Sequence, residues 1–549
     1  MKFKPSIADI WPDNAEKGYL AIVLHAHLPF VRHPEYADAL EENWLYEGIT
    51  EAYIPLLLML DDLVEHGIDF RLTISISPTL ASMLVDPFLQ SRYLQRLARL
   101  LELARKETIR TKAQPEFNAL ARMYLRRLLE VRRAFVTRYH RDLIHAFRRL
   151  QELGKVEIIT TAATHGYLPL LATEESAVRA QVRTGIEYCR ELFGQRPRGF
   201  WLPECAFYPG IDRILTEEGI KYTILETHGI TRAKPRPKYG VYAPLYCPSG
   251  LAVFGRDPDS SRQVWSAAEG YPGDAAYREF YRDIAHDLDY AYIAPYVHPD
   301  GIRIDSGLKY YRITGKSDRK GIYDPEIAER KAELHAGHFI FNREKQIRHL
   351  ASVMYRKPIV VAPYDAELFG HWWYEGPRWL NYVIRGLNPK TRANKTEAPQ
   401  HPIRLITLSA YLEEYPINQL SEPSISSWGN KGSNETWINE SNDWIYRHLH
   451  GGAHLMKELA MKYPRARGKR RRALKQAARE LLLAQASDWA FIIKGGAHRE
   501  YAIERTKTHL LRLIRLKEQI EKGTIDDQWL SVIEGQNNIF PNISYRLFS

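Results

Sequence analysis

The chain has 549 residues, more than one hydrophobic core usually supports, so two or three domains are expected. Its 45% apolar and 26% charged content exclude a disordered or fibrous chain, and no apolar run is long enough for a membrane span. Much of the net charge of +11 sits in Arg465-Ala466-Arg467-Gly468-Lys469-Arg470-Arg471-Arg472, with no nucleic-acid motif beside it; this reads as a solvated loop or helix start, not a nucleic-acid surface.

The start, MKFKPSIADIWPDNAEKGYL, lacks an apolar signal core, which reads as a cytoplasmic protein. Tyr19 to Leu24 is a first buried strand, ending at His25-Ala26-His27. Thr50 to Glu65 has helical periodicity, and Phe70 to Ile76 alternates like a second strand. Residues 87–153 carry only long basic helical stretches, an all-helical insertion. Val156 to Thr160 is the third strand, followed by Thr164-His165-Gly166.

A helix over Glu174 to Phe193 leads to Gly199-Phe200-Trp201-Leu202, a strand stopped by Pro203 and followed by Glu204. Tyr222 to Leu225 is a further strand, ending near His228. Residues 230–268 are too rich in Pro, Gly and aromatics for an ordinary connection and suit a lid or binding edge. Asp274 to His286 and Pro325 to Met354 read as helices. Ile359 to Ala362 is the strand before Asp365, Pro377 to Arg385 a helix, Asn388 to Gln400 a polar surface excursion, and Ile403 to Leu408 the last strand. Ser426 to His450 is aromatic, and helices follow to about Ile533. Seven strands alternating with helices predict a parallel α/β fold.

Two carboxylates at strand ends, Glu204 and Asp365, each beside tryptophan, suggest chemistry on a sugar. In such a pair one carboxylate stays ionised and the other supplies a proton; spacing alone does not say which. His25 and His27, two apart on a strand, point from one face, but no third ligand or HxxEH pattern completes a zinc site, so no metal and no cofactor are expected. Of the three cysteines, none forms a CxxC pair, and Cys205 reads as a small buried residue.

The ordered segments HAHLPFVRHPE, TAATHG, GFWLPECAF, PYDAELFGHWW and SSWGNKGSNETWIN resemble the five motifs of glycoside hydrolase family 57. Within it, the chain is most similar to the prokaryotic 1,4-α-glucan branching enzymes. The resemblance implies a (β/α)7 barrel over residues 1–86 and 154–415, a helical insertion over 87–153, and a helical C-terminal domain over 416–549. It implies Glu204 as nucleophile and Asp365 as general acid/base of a retaining, metal-free double displacement. Substrate-binding residues would be His25, His27, Trp44, His165, Trp201, His228, Trp265, Trp373, Trp428 and Trp437. Efficient branching in the family is associated with a mobile loop bearing a tyrosine, for which Tyr239, Tyr242 and Tyr246 are the candidates. The substrate implied is an α-1,4-glucan of the glycogen type, as donor and acceptor, handled by a monomer or small homo-oligomer. The short interval between Glu204 and Asp365 leaves an α-amylase as the alternative.

Overall fold

The computed structural model describes residues 16–266, 269–317, 319–388 and 401–549. The predicted polar excursion therefore lies, beyond Asn388, outside the described residues. Among the described residues ten strands form one sheet system: β1 Gly18–Ala26, β2 Leu72–Ile76, β3 Val156–Thr161, β4 Gly199–Trp201, β5 Tyr222–Leu225, β6 Leu245–Tyr246, β7 Ala252–Gly255, β8 Ile359–Asp365, β9 Ile403–Leu405 and β10 Gln419–Leu420. Along the sheet, β7, β5, β4, β3, β2, β1 and β8 are neighbours in that order, each pair parallel. A parallel bridge from Arg256 to Val361, with Asp257 N–H donating to the Val361 carbonyl at 2.9 Å, joins β7 back to β8. The ring is a closed (β/α)7 barrel.

Strand parity decides what the barrel encloses. Successive residues of a strand face opposite sides. Tyr19, Ala21 and Val23 of β1 pack inward with Ile159, Tyr222, Ile224, Phe254, Ile359 and Val361, while Leu20, Ile22 and Leu24 pack outward against helices. His25 continues the inward series of β1, and Asp365 that of β8.

The strand near residue 404 was expected in the ring, but among the described residues β9 pairs only with the first residues of β1, Gly18↔Ile403 to Leu20↔Leu405. Its place is taken by β7, a four-residue run inside the stretch read as irregular. The helix expected over Asp274 to His286 is also replaced. Arg278 and Arg312 form an antiparallel bridge, and only Ile284–Asp287 is helical there.

Between β2 and β3 run the helices Pro87–Arg110, Pro115–Arg133 and Leu143–Glu152. The first begins cleanly because Asp86 accepts the Leu89 N–H at 3.0 Å and Pro87 occupies the first turn. Five longer helices close the chain: Trp444–Lys462, Gly468–Ala484, Ser487–Gly495, Arg499–Lys522 and Asp527–Gln536. The basic run becomes the start of the second of these.

Candidate active site

His25 and Asp365 are register partners at the carboxyl ends of β1 and β8. Glu204 reaches the same end by a different route. It sits with φ 61° and ψ 24°, and Cys205 follows at φ 50°, both in the left-handed region. Each such non-glycine residue costs on the order of 1–3 kcal/mol and persists only where its surroundings hold it. Here the Trp428 backbone N–H donates to the Glu204 carbonyl at 3.0 Å, and Phe207 and Ser426 exchange two backbone hydrogen bonds. The Cys205 side chain is buried in the barrel core, and burial pushes its thiol well up.

The Glu204 carboxylate is gripped from the C-terminal part of the chain. The Trp428 indole N–H donates to Oε2 at 2.7 Å, and the Ser487 hydroxyl to Oε1 at 3.5 Å. Behind Ser487 stands a chain of side chains: His165 Nδ1 at 3.0 Å, His25 Nε2 against His165 Nε2 at 3.1 Å, and Ser75 Oγ at 3.0 Å from His25 Nδ1. When Glu204 is ionised it only accepts, and the protons along this chain then take one order. Ser487 donates to Glu204, His165 carries its proton on Nδ1, His25 on Nε2, and Ser75 donates to His25. All four donors point toward Glu204.

The neutral state of those two imidazoles agrees with their surroundings. Burial, and then the charge of His27, hold His25 and His165 well below the usual histidine range. His27 is shifted the other way: burial opposes its charge, but Asp488, Glu204 and Glu367 outweigh it, with Asp488 oxygens 3.1 and 3.2 Å from Nε2. Burial, with the charge of Asp488, pushes Glu204 up to about 7, against the pull of the Trp428 N–H, His27 and the Ser487 hydroxyl. Burial, Glu367 and Glu204 together hold Asp365 well above the usual carboxylate range. Glu367 accepts from Tyr53 at 2.6 Å and from the His27 backbone N–H at 3.1 Å. Among the described residues, Asp365 alone of these four carboxyls has no hydrogen-bond donor on it, and its protonated form is favoured accordingly.

Of the expected residues, the structure brings together Glu204, Asp365, His25, His27, His165, Trp201, Trp265 and Trp428. Trp201 is fully buried beneath His25, with ring centroids 4.6 Å apart, and meets Trp428 edge-on at 5.1 Å, so the expected substrate-binding role is corrected here too: it packs under the site. Trp265 lies 6.1 Å from Trp428 and donates to the Pro363 carbonyl at 3.5 Å. The His228 ring supports Gly432, and Trp44 packs edge-on against His498 and Tyr501.

Trp373 and Trp437 are corrected. Trp373 is 1% exposed and packs with Trp379 and Tyr277; Trp437 is 2% exposed and stacks on Tyr167 at 4.4 Å. Both are packing residues. The three tyrosines expected on a lid are also misplaced. The Tyr242 carbonyl accepts from Ile359, the first residue of β8; Tyr239 lines a cavity with Arg356; and Tyr246 pairs with Ala252 at the start of β7. They sit at the amino ends of strands, roughly 20 Å along β8 from Asp365.

Ser487 and Asp488 were missed. At the start of a helix they read as ordinary capping residues, and nothing local distinguishes them. With His27 and His165, Asp488 also forms a set whose ligand atoms lie within 4.8 Å of one another. Both nitrogens of His165 are already hydrogen-bonded, so an ion there would have to displace Ser487 or His25.

The profile described as glycosyl hydrolase family 57 matches residues 21–344, and one described as the C-terminal part of 1,4-alpha-glucan branching enzyme matches 448–548. The chain is 34% identical to a 1,4-alpha-glucan branching enzyme of Thermococcus kodakarensis, covering 95% of this chain and 77% of that protein. The crystal structure of the alpha-amylase AmyC of Thermotoga maritima superposes with a TM-score of 0.88 at 42% identity, over 97% of this chain and 99% of that one. The GH57-type branching enzyme of Pyrococcus horikoshii gives 0.85 at 34% identity, over 97% of each. With a closed seven-strand barrel, two strand-end carboxylates and a family profile spanning more than half its length, the chain belongs to glycosyl hydrolase family 57.

Proposed function

We propose that this chain is a 1,4-α-glucan branching enzyme working by a retaining double displacement, with Glu204 as nucleophile and Asp365 as general acid/base. The observation that carries the assignment is the unequal treatment of the two carboxyls. Glu204 accepts side-chain hydrogen bonds from Trp428 and Ser487, whereas Asp365 accepts none among the described residues and lies beside the Glu367 and Glu204 carboxylates. Glu204 attacks the anomeric carbon as Asp365 protonates the departing 4-oxygen. The 6-hydroxyl of an acceptor glucan then gives its proton to Asp365 and displaces Glu204, so the anomeric configuration is retained. His27 Nδ1 is buried without a partner and suits a sugar hydroxyl. The profile match over residues 448–548 and the curated relatives support transfer over simple hydrolysis.

The second reading, an α-amylase with the same chemistry, is favoured by the AmyC structure and by the removal of all three tyrosines from the cleft. Incubation with amylose decides between them. Branching gives α-1,6 linkages, released as short chains by a debranching enzyme, in excess of new reducing ends; the reverse ratio identifies a hydrolase. We further assign residues 1–86 and 154–415 to the catalytic unit, 87–153 to an insertion and 416–549 to a C-terminal unit that completes the cleft. A cytoplasmic role in storage-glucan synthesis, as a monomer or small homo-oligomer, fits this reading. No helix among the described residues is long and apolar enough to cross a membrane.

A further inference from the structure

Immediately after the catalytic strand the chain carries two adjacent tryptophans with opposite fates. Trp373 is buried, whereas Trp372 is 53% exposed and lies flat on Phe280, with ring centroids 4.3 Å apart and planes 24° from parallel. Tyr281, 81% exposed, stands edge-on to Phe280 at 5.1 Å. Large exposed aromatic groups of this kind mark a contact surface.

The platform is rigid and tied to the site. The Trp372 N–H donates to the Glu367 carbonyl at 3.3 Å, two residues from Asp365. Its neighbour His371 is bonded to Glu51 at 2.6 Å, and Tyr53 of the same π-helical turn, Gly48–Tyr53, holds the Glu367 side chain. Gly370 makes the turn possible. At φ +110°, a side chain there would put its Cβ 1.9 Å from the Glu51 carbonyl oxygen. Lys309 lies 4.3 Å from the Phe280 ring centroid and is neutralised by Asp305 at 2.7 Å.

We propose that Trp372, backed by Phe280 and flanked by Tyr281, is a second α-glucan-binding platform, stacking on a chain that extends beyond the carboxylates. This rests on the α-glucan reading above. A flat, uncharged aromatic face continuous with the 363–373 segment suits the C–H face of glucose better than a charged ligand.

The experiment is affinity electrophoresis through glycogen, with kinetics on amylose and on maltohexaose, for wild type, Trp372→Ala and Trp372→Phe. Trp372→Ala is expected to weaken retention by glycogen about five-fold and to raise the ratio of KM for amylose to KM for maltohexaose by about the same factor, with Trp372→Phe restoring most of both. Unchanged retention and ratio in Trp372→Ala overturn the platform while leaving the α-glucan reading intact. A wild type that glycogen does not retain overturns both. Sedimentation tests a second copy as the occupant: a dimer dispersed by Trp372→Ala without loss of glycogen retention overturns the proposal in favour of a subunit contact.

Discussion

Replacing Trp428 by Phe removes one hydrogen bond and keeps an aromatic ring against Trp201 and Trp265. The lost donor is the indole N–H, 2.7 Å from Glu204 Oε2. A hydrogen bond to a charged group contributes about 1.5–3 kcal/mol, and 1.36 kcal/mol corresponds to one pH unit. Glu204 already stands at about 7 because of burial, so losing the donor raises it further. The acid limb of the kcat/KM profile, which reports ionisation of Glu204 in the free enzyme, should move up by about one to two pH units. The alkaline limb, where Asp365 loses its proton, should stay. The bell then narrows from its acid side, and activity below neutrality falls about ten- to hundredfold. Initial rates of amylose cleavage across the pH range provide the assay. An acid limb that stays in place while activity falls at every pH would refute this electrostatic role and leave Trp428 as a substrate-stacking residue.

Three further outcomes are expected. Asp488→Asn removes the strongest support for the charge on His27; its titration, followed by proton–nitrogen NMR, should shift to lower pH, and no shift would mean that Glu204 and Glu367 suffice. Exhaustive chelation should leave activity and melting temperature unchanged, because both nitrogens of His165 are engaged within the protein; loss of activity restored by one divalent ion would show that His27, His165 and Asp488 hold a metal. Trp437→Ala should destabilise the fold by about 3–5 kcal/mol, since a fully packed tryptophan leaves a cavity; a normal melting curve with reduced acceptor use would return Trp437 to the cleft.

Parity made the centre of the site legible. His25, His27 and Asp365 follow inward-facing residues on buried strands, so their convergence at one barrel end could be read from spacing two. Glu204 was legible as a carboxylate at a strand end, although its left-handed backbone was not. What escaped has particular causes. β7 is four residues long and hidden among prolines and glycines, so periodicity could not mark it. Asp274 to His286 has helical periodicity, but pairing of Arg278 with Arg312 overrides it. Ser487 and Asp488 reach Glu204 and His27 across 283 and 461 residues of chain, and local sequence carries no trace of such contacts. The same limit misassigned Trp373 and left Trp372 unnoticed, because a turn exposes one neighbour and buries the other.

The left-handed turn at Glu204 also bears on the order of events during synthesis. Its carbonyl, its two carboxylate oxygens and its flanking residue Phe207 are all restrained by Trp428, Ser426 and Ser487. Those residues leave the ribosome more than two hundred positions after Glu204. A nascent chain with every barrel strand already emerged would therefore hold Glu204 free to relax out of its strained geometry. The geometry of this turn is complete only once the segments carrying Ser426, Trp428 and Ser487 have been made.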